Sequence, residues 1–256
     1  MTEFDIILMA VVQGITEFLP ISSSGHLVLL KEILEIERED KVLEVVLHFG
    51  TLISILIFFR QDIYGILNGA INKNKDDIKY IMYIVLASIP TAIIGVLLND
   101  KIDNLFNSTD SLLYAYLVTA IILFLTRGIN KDGNSISYQM VIWMGIAQVF
   151  AILPGISRAG ITICAGLLLG FKQKEVAKFS FFLAIPALVG VVYLDINKIF
   201  AFGSNQLHIL VLGFVFSMIT GLAVLKILFK ILQKQKLWIF SFYCLLIWLL
   251  IYIRYT

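Results

Sequence analysis

The chain has 256 residues, 59% of them hydrophobic and 15% charged, with a mean hydropathy of +0.92. A soluble domain is nearer a quarter charged, so this composition excludes an ordinary globular protein and predicts an all-α polytopic membrane protein. The net charge of +2 includes no basic stripe suited to nucleic acid.

In chain order, the N-terminus Met1-Thr2-Glu3-Phe4-Asp5 is acidic and lacks the basic start of a cleavable signal peptide. Residues 4–34 form a first apolar segment, interrupted where Gln13-Gly14-Ile15-Thr16-Glu17-Phe18-Leu19-Pro20 runs into Ser22-Ser23-Ser24-Gly25-His26. Three clean apolar stretches follow, at about 42–59, 78–98 and 111–126. A second interrupted segment, residues 138–171, carries Pro154-Gly155-Ile156-Ser157-Arg158 and Thr162. Three more clean stretches close the chain, at about 176–193, 207–229 and 237–253. Each of the six suits a membrane span of roughly 20 residues, with Pro90 and Pro186 read as kinks. Cys164 and Cys244 stand in apolar sequence without metal-ligand spacing and read as small buried hydrophobes.

The order of one interrupted segment and three clean ones occurs twice. Val12 to Gly25 runs parallel to Ile146 to Gly160, about 130 residues on, and Ser88-Ile89-Pro90-Thr91 parallels Ser217-Met218-Ile219-Thr220. The expected organisation is therefore a single membrane domain, 1–256, with one repeat over about 1–130 and another over about 135–256. Each interrupted segment is too long for one span of about 20 residues and too short for two. Each also breaks in the middle, at Pro20 and at Pro154-Gly155. Two half-helices meeting at mid-depth fit this length, so the expectation is six transmembrane helices plus two re-entrant helical hairpins in an inverted-topology repeat.

Charge placement agrees. With re-entrant hairpins, one side collects Arg60, Lys73, Lys75, Lys79, Arg127, Lys131, Lys172, Lys174, Lys178, Lys226, Lys230, Lys234 and Lys236. The other side collects Lys31, Arg38, Lys41, Lys101, Lys198 and Arg254, which is thirteen against six with Arg158 uncounted. Full spanning would give eleven against eight, so the positive-inside rule favours hairpins and puts both termini outside the cytoplasm.

In that arrangement Gln13, Glu17, Ser22, Ser23, Ser24, His26, Ser157, Arg158 and Thr162 converge at mid-depth. An ionised side chain there costs about 2.5–3.5 kcal/mol on insertion scales, so Glu17 and Arg158 need a reason to be present. The helix starts after each break offer N–H groups and a positive dipole end to an anion. Serine hydroxyls and the Arg158 fork suit phosphate. Glu17 with the Gln13 amide, i and i+4 on one helix face, suits a divalent cation bridging phosphate oxygens. His26 exchanges a proton near neutral pH. Together these predict phosphoryl transfer, whose demands are positioning and charge stabilisation.

Plainer readings stand beside these. Serines in membrane helices bond their own backbone, Glu17 and Arg158 form a structural ion pair, Thr162 closes a helix bond, and His26 is a satisfied structural histidine. His48 has no polar neighbour in sequence and reads as structural.

The two motifs also carry a family likeness. Gln13 to Pro20 with Ser22 to His26 resembles the (E/Q)xxxE and Ser-Gly-His motifs of the bacterial undecaprenyl-diphosphatase family of the bacitracin-resistance type. Pro154-Gly155-Ile156-Ser157-Arg158 with Thr162 resembles its PGxSRSxxT motif, and Lys178 to Pro186 also fits. The resemblance implies a plasma-membrane enzyme, multi-pass and with its site facing outward, that hydrolyses undecaprenyl diphosphate to the monophosphate and so recycles the carrier for peptidoglycan. It implies a divalent cation, Mg²⁺ or Ca²⁺, at Gln13 and Glu17. Glu17, Ser22, Ser23, His26 and Arg158 would be catalytic, and Ser24, Gly25, Gly155, Ser157, Arg158 and Thr162 would bind substrate. Expected partners are the prenyl diphosphate, membrane lipids and a second copy of the chain in a homodimer. Two departures stand out: Gln13 takes the less acidic option, and Ala159 replaces the motif's second serine. Type-2 phosphatidate phosphatases are excluded because Cys164 stands where their histidine would be. A transporter or polyprenyl-phosphate flippase built on the same site is the rival reading.

Overall fold

A computed structural model describes residues 2–36, 42–98, 109–129, 133, 135–201, 207–233 and 236–255, without the side chains of 109, 110, 196–201 and 233. Its helices are α1 (Glu3–Thr16), α2 (Ser23–Ile33), α3 (Val42–Phe58), α4 (Arg60–Ile71), α5 (Lys75–Leu97) and α6 (Thr109–Phe124). They continue as α7 (Tyr138–Phe150), α8 (Arg158–Leu168), α9 (Gln173–Ala201), α10 (Leu207–Gln233) and, after a 3₁₀ turn at Leu237–Ile239, α11 (Phe240–Tyr255). The protein is all-helical, with no β-strand among the described residues.

Local chemistry sets several starts. Thr2 and Asp5 form a reciprocal capping box at α1, Asn74 accepts from the backbone of Asp76 and Asp77 at α5, and Ser137 accepts from Met140 at α7. Among the described residues four helical stretches are long and apolar enough to cross a bilayer: Lys75–Leu97, Gln173–Asp195, Leu207–Leu232 and Leu237–Tyr255. A fifth results if α3 and α4, bent by 70° where they meet at Phe59, count as one span. The chain is thus an integral multi-pass membrane protein. The expected spans at 42–59 and 111–126 are helical, but α3 with 17 residues and α6 with 16 are shorter than the other four. The helix α4 falls between the expected spans at 42–59 and 78–98, where no element was anticipated. It exposes Tyr64, Leu67 and Ile71, and Lys178 of α9 holds its Asp62 at 2.5 Å. Of the basic residues that bear on sidedness, Arg38, Lys41, Lys101, Lys131 and Lys234 lie outside the described residues, as does the Lys198 side chain.

The interrupted segments become short helix pairs. At 1.5 Å per residue α1 and α7 are about 20 Å long and α2 and α8 about 17 Å, well short of a hydrocarbon core of about 30 Å. The two helices of each pair pack on one another, α1 on α2 and α7 on α8. Around them α10 packs on α1 and α3, α5 on α7 and α9, α9 on α3 and α8, and α6 on α8 and α11. Phe18, Phe59, Phe179, Phe181 and Tyr116 fill the core, and both cysteines are buried free thiols.

Backbone proximity closes the bundle. A Cβ on Gly50 of α3 would lie 2.0 Å from Ser217 Oγ and 2.6 Å from the Phe214 carbonyl of α10. A Cβ on Gly14 of α1 would lie 2.8 Å from the Ser217 carbonyl. Next to Gly50, Ser54 donates to the Met218 carbonyl at 2.8 Å. Without a hydrophobic drive between helices in lipid, such approaches and cross-helix bonds carry association. Gly50→Ala is expected to cost about 1–3 kcal/mol of stability by overpacking and to lower the thermal unfolding midpoint in detergent. Gly95→Ala, where nothing lies within 4 Å, leaves the midpoint in place.

Candidate active site

The site begins where α1 ends. Glu17 caps that helix, and the chain turns through Phe18 to Ile21 into Ser22, which sits at φ +69° in the left-handed region. A non-glycine residue held there stores strain, a feature that collects at functional sites. Ser22 Oγ then accepts from the Gly25 N–H at 3.3 Å and starts α2. Gly25 is required by Tyr116, because a Cβ would lie 2.6 Å from the tyrosine oxygen. The second tip is built alike. Gly155 turns at φ +91° against Ala115 of α6, its carbonyl accepts the Thr119 hydroxyl at 3.1 Å, and Ser157 accepts from the Gly160 N–H at 3.0 Å to start α8. The tips touch: a Cβ on Gly160 would come within 3.3 Å of Pro20.

Glu17 is the meeting point. Arg158 Nη2 donates to its Oε1 at 2.6 Å, joining residues 141 apart in sequence. Ser23 Oγ donates to Oε2 at 2.6 Å and Gln13 Nε2 to the same oxygen at 3.1 Å. His48 Nε2 stands 3.9 Å from that oxygen. The Glu17 side chain is 6% exposed and that of Arg158 is 14% exposed. Removing one partner from so buried a pair typically costs 3–5 kcal/mol, because the other charge is left uncompensated.

Two atoms of this cluster are left over. Arg158 Nη1 and Gln13 Oε1 are buried with no hydrogen-bond partner among the described residues. Such a group costs about 1–3 kcal/mol, more if charged, and calls for an explanation. An anionic oxygen, such as one of a phosphate, would satisfy Nη1, and the starts of α2 and α8 add positive dipole ends. Gln13 gives Nε2 to the Glu17 carboxylate and leaves Oε1 without a partner among the described residues, and an amide oxygen and a carboxylate are donor types that a hard cation takes. No group of three His, Cys, Asp or Glu side chains gathers among the described residues, so such a cation would draw other ligands from substrate or water. A serine hydroxyl held on a carboxylate has the arrangement of an activated nucleophile.

The remaining sequence candidates divide. Ser24 contacts Ser22 across 3.3 Å at the first tip. Ser22 and Ser157 each use a lone pair as a helix cap and keep a hydroxyl proton to give. Gly25 and Gly155 act through the close approaches described above. His26 does not bond a serine hydroxyl: Nδ1 lies 2.6 Å from the Ser22 carbonyl and 3.0 Å from Tyr116 Oη, and Nε2 lies 2.8 Å from Tyr243 Oη. Thr162 is fully buried and its hydroxyl bonds the Arg158 carbonyl and Ser180, each at 2.7 Å, so it ties α8 to α9.

Three residues in contact with the site had no sequence signal. His48 was read as structural for want of polar neighbours, yet α3 runs beside α1 and brings it to Glu17. Tyr116 and Tyr243 sit within clean apolar stretches, and although Tyr243 parallels Tyr114 in the repeat, nothing there points to a partner in the first hairpin.

The chain is similar throughout its length to curated proteins. Undecaprenyl-diphosphatase of Halothermothrix orenii is 39% identical over 255 residues, 98% of this chain and 97% of that protein. Undecaprenyl-diphosphatase of Desulfosudis oleivorans is 37% identical, with 94% of each chain covered. That of Methanococcus maripaludis strain C6 is 37% identical over 94% of this chain and 95% of its own. Residues 6–250 match the family described as bacitracin resistance protein BacA, and the chain belongs to that family.

Proposed function

We propose that the protein is an integral membrane phosphatase that hydrolyses undecaprenyl diphosphate to undecaprenyl phosphate and phosphate. The observation that carries this is a single buried carboxylate bearing both a serine hydroxyl and a guanidinium whose second nitrogen is unpaired. The relatives named for this activity, matched nearly end to end, support it. The product re-enters peptidoglycan synthesis, and the same turnover underlies bacitracin resistance.

In the mechanism, Arg158 Nη1 and the helix starts hold the terminal phosphate in front of Ser23. Ser23 Oγ forms a bond to that phosphorus while the bridging P–O bond breaks and undecaprenyl phosphate leaves with the bond electrons. Glu17 takes the Ser23 proton. Water then attacks the phosphoserine, Glu17 returns its proton to the departing Ser23 oxygen, and the water proton leaves on the phosphate. Positioning and charge neutralisation do most of the work, as phosphoryl transfer demands. Gln13 Oε1 and Glu17 would hold a divalent cation, Mg²⁺ or Ca²⁺, which when bound neutralises diphosphate charge. With Gln13 in place of a second carboxylate, that cation rests on one protein charge. A carrier needs binding groups alone, whereas a serine on a carboxylate is equipment for bond-making.

The reading includes an inverted repeat of six spans and two re-entrant hairpins, α1–α2 and α7–α8. Its support is that exchanging the halves exchanges their packing partners. Thus α1 on α10 corresponds to α7 on α5, α3 on α10 to α9 on α5, and α6 on α8 to the α11–α2 contact at His26 and Tyr243. The protein then lies in the plasma membrane with the tips reached from outside the cytoplasm, and the prenyl chain stays in lipid.

Arg158→Ala is expected to lower phosphate release from a prenyl diphosphate by at least about 100-fold, the scale of losing one charge-stabilising donor. Arg158→Lys keeps a charge beside Glu17, loses the fork, and is expected to insert and fold while remaining at least about tenfold impaired. Wild-type turnover by either variant removes Arg158 from the reaction. Excess EDTA is expected to silence the purified enzyme, with activity restored by Mg²⁺ or Ca²⁺; undiminished release in chelator excludes the cation.

A further inference from the structure

His26 is held at both ring nitrogens, and the partners fix which one carries the proton. The Ser22 carbonyl, 2.6 Å from Nδ1, can only accept, so Nδ1 is the N–H. The Tyr116 hydroxyl, 3.0 Å from the same nitrogen, shares that N–H as an acceptor. Nε2 is then a bare lone pair in the neutral ring, and the Tyr243 hydroxyl at 2.8 Å is its donor. The Tyr243 ring stacks on the imidazole, with centroids 5.6 Å apart and planes 10° from parallel, while Tyr116 meets it edge-on.

A consequence follows for catalysis. The Nε2 lone pair of His26 faces Tyr243 and, among the described residues, no serine hydroxyl, so the phenol stands between that nitrogen and any ligand. Tyr116 is fully buried, whereas Tyr243 is 38% exposed and able to meet a ligand. Among the described residues, Tyr116 from α6 and Tyr243 from α11 touch the ring, Cys244 lies beside Tyr243, and Glu32, Arg254 and Tyr255 line the same cavity as His26; Glu17 is engaged with Arg158 and Ser23.

We propose that Tyr243 is a further catalytic residue whose hydroxyl relays a proton between the attacking water and the bare Nε2 of His26. This rests on the phosphatase reading. As water attacks the phosphoserine, it passes a proton to Tyr243 Oη while Tyr243 passes its own to Nε2, and the imidazolium then returns that proton along the same path to the released phosphate. The imidazole ends neutral, the phenol is restored, and the water proton leaves on the phosphate. The residue comes from the last helix, so the second half of the chain completes the first hairpin's acid–base group.

Tyr243→Phe removes the hydroxyl and keeps the stacked ring. It is expected to lower kcat at least tenfold with KM within twofold, and to shift the pH profile of kcat. His26→Gln with Tyr243→Phe is expected to be no slower than His26→Gln alone, since both act on one proton path. A second reading needs no substrate: ¹⁵N-histidine spectra in detergent, with the His26 signal assigned by its loss in His26→Gln. The wild type is expected to show the Nδ1–H tautomer with a hydrogen-bonded Nε2, and Tyr243→Phe the same tautomer with the Nε2 resonance shifted by loss of that bond. A wild-type kcat and pH profile in Tyr243→Phe, full additivity with His26→Gln, or an unchanged Nε2 resonance overturns the proposal. If the wild type released no phosphate from a prenyl diphosphate, the phosphatase reading would fall, and the spectra would still decide whether Tyr243 donates to His26.

Discussion

An ionised carboxylate inside an apolar bundle is tolerable only when its counter-charge is within reach, and the bond between Glu17 and Arg158 meets that condition at 2.6 Å. The two residues come from different halves of the chain, so the pair forms only if both tips arrive together. That requirement accounts for much of the architecture. The helices on either side of each break are too short to cross a bilayer, and Gly160 lies flush against Pro20 at the junction. The glycine contacts of α1 and α3 with α10 bring the surrounding helices close enough to hold the tips in register.

Stability is given up at the same place. Ser22 is held at a positive φ, Arg158 Nη1 and Gln13 Oε1 lack partners, and two charges are buried, all around one carboxylate. A bundle optimised for stability alone would have apolar side chains there, which often cost less than a buried ion pair. Concentrated strain, unpaired donors and buried charge together describe a binding surface prepared for a polyanionic head group, with fixed dipoles already in place when it arrives.

The sequence exposed the polar breaks because they contrast with their surroundings. Gln13 and Glu17, one helical turn apart, and Ser157-Arg158 after Pro154-Gly155 are conspicuous in a chain so apolar, and the meeting of the breaks could be argued from length and helix dipoles. What stayed hidden depends on tertiary approach. His48 reaches Glu17 only because α3 lies beside α1, and Tyr116 and Tyr243 frame His26 only because α6 and α11 flank the first hairpin. The hydroxyl of Thr162 is spent on Ser180, a partner that no local pattern reveals. The helix α4 went unanticipated because, at 12 residues, it is too short to register as a span, and α3 stops at Phe58 because the chain bends by 70° there.

The claim on which all of this rests is an energetic coupling between Glu17 and Arg158, and a double-mutant cycle on unfolding measures it most directly. Glu17→Gln, Arg158→Gln and the double variant would be compared with the parent protein by denaturant titration in detergent. The account predicts a coupling above about 1 kcal/mol, with the double variant more stable than the sum of the single losses implies. Additivity within about 0.3 kcal/mol would mean that the two residues do not share a pocket, and would contradict it.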